Sequence, residues 1–210
     1  MQKILVATTN PGKIKEITEF LSDLPVEIVS LKDVGITDDI EENGTTYMQN
    51  SLTKALFYAK KSGLPSVSDD GGLEIQALYG APGIKSRRWL GYDSTEEDIV
   101  NYMTKVALDL PDNNRVAFFR TVITFALPDG THHQSEGLIK GLIAKKPLEK
   151  ILKGYPYRSF FFLPEVSKYY HESDLTPEEM KLYNHRYMAI KKLKPAIKKA
   201  LGLKPKKKEK

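Results

Sequence analysis

The chain has 210 residues, enough for one sizeable α/β domain, and 40% of them are hydrophobic, so a packed core can form. It contains no cysteine, which excludes disulfides, thiolate metal sites and a cysteine nucleophile. The net charge of +5 is misleading, because residues 191–210 hold ten lysines and one glutamate while the remainder is acidic. We therefore predict one domain over residues 1–203, followed by a flexible lysine-rich tail at 204–210.

Composition also limits the partners and the location of the protein. No run approaches the roughly 20 apolar residues of a membrane helix, so no membrane partner is expected. The first residues lack the pattern of a signal peptide, which together with the absence of cysteine predicts a cytoplasmic protein. The lysine tail carries no interleaved aromatic residues for base stacking, so nucleic acid is not expected as a partner.

Hydrophobic patterning predicts interleaved strands and helices along the chain. Strands are predicted at residues 2–8, 26–31, 116–127, 131–143 and in SFFFLP (159–164), with short pieces at 65–69 and 73–78. Helices are predicted at residues 12–22, from Thr45 or Thr46 to about 62, at 94–108, and after Thr176 to the end of the body. The Asp129–Gly130 pair indicates a hairpin, so we expect a mixed-sheet α/β protein.

The second predicted helix has two distinct faces. Its apolar stripe, which should face the core, is Met48, Leu52, Ala55, Leu56 and Ala59. Tyr47, Asn50 and Lys54 share a different face, which either lines a groove or is simply solvated. From the residues alone, the solvated face is the favoured interpretation.

The opening strand ends in VATTNPGK, residues 6–13, where Asn10, Pro11 and Gly12 form a turn before Lys13. A strand that runs into a helix start presents free backbone N–H groups, to which the helix dipole and the lysine add positive charge. This arrangement suits a phosphate, although the P-loop pattern is absent. On this stretch alone, a simple turn is the more common interpretation.

SVSDDGGLEI, residues 66–75, places two aspartates between short strand-like pieces. Neighbouring side chains on a strand point to opposite faces, so one aspartate should face a site while the other braces the turn. A carboxylate at a strand end can bind Mg²⁺ or take a proton from water. Glu41 and Glu42 in the acidic loop offer further hard oxygen ligands, and the alternative for both segments is a solvated turn or loop.

Two further segments carry cationic side chains. APGIKSRRW (81–89) has two arginines after a Pro-Gly turn, and YNHRY (183–187) has a histidine beside an arginine. Arginine pairs bind phosphate oxygens well, but they also form ordinary surface ion pairs.

The motifs TTNPGK, ENGTTYMQNSLTKA, SDDGGLEI, GAPGIKSRR, FFRTVI, GYPYRSFFFLPE and NHR occur in this order. In order and spacing the chain resembles the inosine triphosphate pyrophosphatase family over about residues 3–200. The resemblance implies an elongated two-lobed α/β molecule with a central mixed sheet flanked by helices, and it implies a homodimer. It also implies Mg²⁺-dependent hydrolysis of ITP, dITP and XTP to the monophosphate and pyrophosphate.

The resemblance also implies roles for individual residues. Asp70 and Lys13 would be catalytic, and Glu42 and Asp70 would bind Mg²⁺, with Asp70 as general base. The substrate contacts would be Thr8, Asn10, Lys13, Asn50, Lys54, Gly71, Ser86, Arg88, Tyr155, Tyr157, Arg158, His185 and Arg186. Among these, His185 and Arg186 would contact the base, and Asn50 and Lys54 would face phosphate rather than solvent.

Departures from the family pattern lie mostly at the base end. Gly71 stands in place of a serine, Pro156 in place of a glycine, Arg158 in place of an acidic residue and Asn184 in place of a serine, while Met180 falls where a lysine is common. We therefore expect retained pyrophosphohydrolase chemistry with altered or broader base selectivity. The alternatives are the same chemistry on a different nucleotide, or a nucleotide-binding protein without catalysis.

Overall fold

The computed structural model describes residues 1–203, so the predicted lysine-rich tail at 204–210 lies outside it. Within that range the chain forms seven strands and five α-helices. In chain order these are β1 (Gln2–Val6), α1 (Pro11–Leu21), β2 (Val26–Ser30), α2 (Tyr47–Ser62), β3 (Ser66–Ile75), α3 (Glu96–Asp109), β4 (Val116–Ala126), β5 (His132–Ile143), β6 (Phe161–Leu163), β7 (Lys168–Tyr169), α4 (Pro177–Leu182) and α5 (His185–Ala200).

All seven strands belong to one sheet in the order β2-β1-β3-β4-β5-β6-β7. β1 runs parallel to β2 and β3, whereas the pairs from β3 to β7 are antiparallel. The Asp129–Gly130 turn joins β4 to β5 as predicted, with Ala126 opposite His132. The mixed sheet flanked by helices is therefore confirmed.

The sheet is covered on both faces. Side chains of α2 pack on one face, where Ala55 and Ala59 meet Ala126 of β4. α1 and α5 cover the other face with apolar side chains such as Ile17 and Ile190. A further large apolar cluster is formed by α3, the C-terminal halves of β3 and β5, and the N-terminal half of β4. The polar residues of β3 therefore lie at the junction of these clusters.

β3 differs from its prediction, because it is one strand of ten residues rather than two pieces around a turn. Gly71 lies opposite Thr121 in the antiparallel pair with β4. A Cβ on Gly71 would overlap the carbonyl oxygen of Arg120 and lie 2.8 Å from the Cα of Thr121. The glycine thus allows close approach of two backbones inside the sheet instead of making a turn.

Two helix predictions also need correction. Met48 was expected in the core, but it is 53% exposed, because Tyr47 is the residue of the first turn of α2 that points inward. The closing helical segment divides into α4 and α5, since the Asn184 side chain accepts hydrogen bonds from the backbone N–H groups of Arg186 and Tyr187 and caps a new helix. Among the described helices, none has the length and apolarity needed to cross a membrane.

Candidate functional site

The turn between β1 and α1 is held by its own side chains. Asn10 caps α1, its Oδ1 accepting from the backbone N–H of Lys13 at 3.1 Å, and Pro11 occupies the first helical turn. The Thr8 hydroxyl accepts from the N–H of Asn10 at 3.2 Å, and the Asn10 amide donates to the carbonyl of Gly154 at 3.2 Å. Thr8 and Asn10 thus shape the turn and join it to the segment that contains Tyr155.

Asp69 and Asp70 point to opposite faces of β3, as predicted, and each meets a separate set of charged residues. The expectation that one of them braces a turn is wrong, because the strand is continuous. We call the group formed by Glu42, Tyr47, Lys54 and Asp70 the Asp70 pocket. We call the group formed by Lys13, Glu16, Asp69, Arg158 and Arg186 the Asp69 cluster.

In the Asp70 pocket, the Lys54 ammonium lies between oxygen atoms. Its Nζ donates to Glu42 Oε1 at 3.0 Å and to the carbonyl of Asp69 at 2.9 Å, and it lies 3.9 Å from Asp70 Oδ1. The other oxygen of this carboxylate, Asp70 Oδ2, is buried and has no hydrogen-bond partner within residues 1–203. The sequence-predicted residues Glu42, Lys54 and Asp70 are therefore brought together.

The environment of Asp70 favours its protonated form. Burial, reinforced by the negative charges of Glu42 and Asp69, raises the pKa of Asp70 to about 6, although Lys54 and Lys13 oppose the change. A carboxylate with a pKa close to neutral can accept a proton from water and release it again. Asp70 therefore has the properties of a general base.

Helix α2 supplies the remaining walls of the pocket. Asn50 Oδ1 accepts from the backbone N–H of Gly44 at 2.8 Å, which fixes the loop that contains Glu42. Tyr47, Asn50 and Lys54 are all buried, so the favoured interpretation of their face as solvated is wrong. Burial, together with the negative charges of Glu74 and Asp70, raises the pKa of Tyr47, so its hydroxyl stays protonated at neutral pH.

A divalent metal fits this pocket only with help from other ligands. Within residues 1–203, no group of three or more carboxylate, imidazole or thiol side chains converges to hold a metal ion. Glu42 and Asp70 nevertheless share one cation, the Lys54 ammonium, which shows that the two carboxylates can serve a common positive charge. Two carboxylates are sufficient for Mg²⁺, which keeps several waters and binds substrate phosphates for its other ligands.

On the other face of β3, the Asp69 carboxylate is fully buried and paired. Lys13 Nζ lies 2.5 Å from Asp69 Oδ2, Arg186 Nε donates to Asp69 Oδ1 at 3.0 Å, and the Thr121 hydroxyl donates to the same oxygen. Burial alone would raise the pKa of Asp69, but the charges of Arg186 and Lys13 hold it well below its usual range. Asp69 therefore stays ionised and anchors both cations.

Glu16 is the second anion of this cluster and was missed in the sequence. Its Oε1 accepts from Arg158 Nη2 at 2.7 Å and from Asn184 Nδ2 at 2.8 Å, and its Oε2 accepts from the Tyr155 hydroxyl at 2.8 Å and from Arg186. Burial opposes ionisation, yet the two arginines lower the pKa of Glu16 to about 2. One signal could have revealed it: Glu16 lies four residues before Phe20, on the buried stripe of α1.

The Arg158 side chain is only 1% exposed and lies between two aromatic rings. Its guanidinium carbon is 3.7 Å from the ring centre of Tyr155 and 4.3 Å from that of Tyr170. Cation–π contacts and the Glu16 ion pair compensate its charge inside the protein. The ring of Tyr155, a predicted substrate contact, lies against Arg158 and close to Gly12 in this conformation, so its contact with substrate stays a prediction.

The two predicted base contacts, His185 and Arg186, are also buried. The ring of His185 stacks on Phe119 with centroids 5.3 Å apart, and burial holds the pKa of His185 well below its usual value, so it is neutral. Each of the three guanidinium nitrogens of Arg186 donates to Glu16 or Asp69. In this conformation these side chains are engaged with one another, so their proposed contact with a base stays a prediction.

Ser86 and Arg88, both predicted substrate contacts, have different surroundings. The Ser86 hydroxyl donates to the carbonyl of Gly83 at 2.6 Å. The backbone carbonyl of Ser86 accepts from the Tyr157 hydroxyl, also at 2.6 Å. Arg88 pairs with Asp93 at 3.2 Å on the surface. Gly71, predicted to contact substrate without the family's hydroxyl, has no room for a side chain against β4.

The sequence matches a known protein family over nearly its whole length. A model of the Ham1 family matches residues 4–196. The chain belongs to the Ham1 family. It is 37% identical over 199 residues to a dITP/XTP pyrophosphatase of Shigella flexneri, covering 94% of this chain and 98% of the relative. It is 36% identical over 199 residues to the dITP/XTP pyrophosphatase of Escherichia coli K12, with the same coverage.

Solved structures of Ham1 proteins have the same fold. A HAM1 protein from Coxiella burnetii superposes with a TM-score of 0.79 at 30% identity, covering 95% of this chain and all of that chain. A nucleoside-triphosphatase / dITP/XTP pyrophosphatase from Mycobacterium abscessus gives a TM-score of 0.69 at 34% identity, covering 92% of this chain and all of that chain. These matches confirm the family resemblance and the fold class predicted from the motifs.

Proposed function

We propose that this protein is a nucleoside triphosphate pyrophosphatase that hydrolyses non-standard purine nucleoside triphosphates, ITP, dITP and XTP, to the monophosphate and pyrophosphate. The observation that carries this proposal is the Asp70 pocket, in which a buried carboxylate with a raised pKa lies beside Glu42 and Lys54. The 37% identity to a dITP/XTP pyrophosphatase supports the same substrate class.

The chemistry requires neutralisation of about four negative charges on the triphosphate. Lys54 provides positive charge beside Asp70, and Lys13 with the N-terminus of α1 provides it from the Asp69 side of β3. Glu42 and Asp70 would hold Mg²⁺, which neutralises phosphate charge and stabilises the leaving pyrophosphate when bound. Asp70 takes the proton of the water that attacks the α-phosphorus.

A second candidate is the same hydrolysis with a different base preference. It is favoured by Arg158, which stands in place of an acidic residue, and whose guanidinium stacks on Tyr155 and pairs with Glu16 at 2.7 Å. A base bound in this region meets an occupied, charge-compensated cluster rather than an open aromatic face. Altered or broader base selectivity follows from that occupancy.

The first experiment is to incubate the purified protein with Mg²⁺ and ITP, dITP, XTP, dUTP, ATP or GTP, and to identify the product. Pyrophosphate released from ITP and XTP at rates well above ATP and GTP is the expected result. Pyrophosphate from another nucleotide of the panel supports the second candidate. Inorganic phosphate alone, or no product from a folded protein, contradicts the proposal.

The remaining expectations are a homodimer in the cytoplasm, with one catalytic domain over residues 1–203. The absence of cysteine supports a reducing compartment, and the family resemblance supports the dimer. Light scattering of the full chain tests the dimer. Removal of residues 204–210 should leave activity unchanged, and a loss of activity would show that the domain boundary is wrong.

A further inference from the structure

The Tyr47 side chain carries an unexplained hydrogen-bond donor. Tyr47 begins α2 and is 8% exposed, and its hydroxyl makes no direct hydrogen bond within the described part of the chain. Glu74 lies close enough to help raise the pKa of this hydroxyl, and it is the nearest competing acceptor. A buried polar group without a partner costs about 1–3 kcal/mol, so native structures keep few of them. A phenylalanine would fill the same space without this cost, which points to a function for the hydroxyl.

The hydroxyl is located over β3, on the face that contains Asp70. Side-chain alternation places Asp70, Gly72 and Glu74 on this face. A Cβ on Gly72 would lie only 2.9 Å from Tyr47 Oη and would overlap Ser86 Oγ. The missing side chain at Gly72 therefore makes room for the Tyr47 hydroxyl between the flanking carboxylates.

The two flanking carboxylates differ in their availability. Glu74 is engaged by Arg120, whose Nε donates to both of its oxygens at 3.0 and 3.3 Å. Asp70 instead directs Oδ1 toward Lys54 at 3.9 Å and keeps Oδ2 without a partner among residues 1–203. The same face of β3 thus holds one unpaired donor, Tyr47 Oη, and one unpaired acceptor, Asp70 Oδ2.

We propose that the Tyr47 hydroxyl is a further catalytic residue, which donates a hydrogen bond to the attacking water while Asp70 Oδ2 accepts one from it. This rests on the proposed pyrophosphatase function. The water oxygen forms the new bond to the α-phosphorus, its proton passes to Asp70, and the bond from the α-phosphorus to the bridging oxygen breaks to release pyrophosphate. Tyr47 keeps its proton and fixes the orientation of the water.

The test is the Tyr47→Phe variant of the full chain, assayed with Mg²⁺ and the best substrate of the panel. We expect kcat to fall roughly 10- to 100-fold with KM changed by less than about twofold, because only a transition-state interaction is lost. We also expect the melting temperature to stay the same or rise, because an unpaired buried hydroxyl is removed. A purely structural tyrosine would give the opposite pattern, with lower stability and little change in kcat per folded molecule.

Tyr58→Phe is the matched control, since Tyr58 lies on the same helix and its hydroxyl donates to the carbonyl of Asp38 at 3.0 Å. It should lose a little stability and keep its kcat within about twofold. An unchanged kcat in Tyr47→Phe, with an active wild type, overturns the role of Tyr47 alone. A wild type that releases no pyrophosphate from any nucleotide overturns the proposed function and this inference together.

Discussion

The two faces of β3 hold adjacent carboxylates in opposite states. Asp69 is completely buried and accepts from Lys13, Arg186 and Thr121. Asp70, one residue later, has an unpaired oxygen and a pKa raised to about 6 by burial. The oxygens of a structural carboxylate are all occupied by fixed hydrogen-bond partners. A catalytic carboxylate instead keeps an oxygen available for a hydrogen bond to substrate or water.

The same contrast separates the phosphate end from the base end of the proposed site. At the phosphate end, Asp70 and Tyr47 retain unused hydrogen-bonding atoms in the described chain. At the base end, Glu16 accepts from four side chains and compensates the charge of Arg158, and in the described chain only Arg158 Nε of the Asp69 cluster is buried without a partner. The positive charge that Arg158 introduces is therefore compensated by Glu16 inside the protein. Arg158 need not repel or attract a base through its net charge.

The largest expected effect comes from removing the carboxylate of Asp70. Asp70→Asn should lower the rate of pyrophosphate release roughly 10²- to 10⁴-fold, because the proton acceptor is lost while the side-chain volume is kept. Stability should be equal or higher, since a buried carboxylate is replaced by an amide. Activity within tenfold of wild type would show that another group takes the proton.

The next effect concerns the Asp69 cluster. Glu16→Gln should destabilise the protein by about 3 kcal/mol, measured by urea unfolding, because the buried arginines Arg158 and Arg186 lose a counter-charge. Glu19→Gln, an exposed change on the same helix, is the matched control and should be nearly neutral.

A double variant separates the contribution of charge from that of packing in the Asp69 cluster. Glu16→Gln combined with Arg158→Met removes an anion and its cation together, so it should recover part of the stability lost in Glu16→Gln. Equal loss of stability in the single and double variants would mean that Arg158 does not depend on the charge of Glu16.

Sequence reasoning succeeded where neighbours in sequence are also neighbours in space. The turn at residues 6–13, the opposite directions of Asp69 and Asp70, and the mixed sheet all follow from local patterns. The Glu16–Arg158 pair could not be found this way, because it joins side chains 142 positions apart. The continuity of β3 was also not predicted, because an Asp-Asp-Gly-Gly segment is typical of a turn. Only the pairing with β4 keeps it extended.

The smallest expected effect is on the pH dependence of the free energy of unfolding, measured with urea in metal-free buffer. Asp70 and Glu16 should contribute to this pH dependence with opposite signs. The pKa of Asp70 is raised on folding, so its contribution to the free energy of unfolding is present at low pH and is lost as pH rises through about 6. The stability of wild type relative to Asp70→Asn should therefore fall by about 2 kcal/mol between pH 4 and pH 7.

The pKa of Glu16 is lowered to about 2 on folding, so its contribution is present at neutral pH and is lost as pH falls from about 4.5 toward 2. The stability of wild type relative to Glu16→Gln should accordingly be greatest at pH 7 and shrink below pH 4. If both differences changed with pH in the same direction, Asp70 and the carboxylate of Glu16 in the Asp69 cluster would not be held in opposite states. A flat difference for Asp70→Asn would mean that its carboxylate is already compensated in the folded protein, which would remove the physical basis for its role as the proton acceptor.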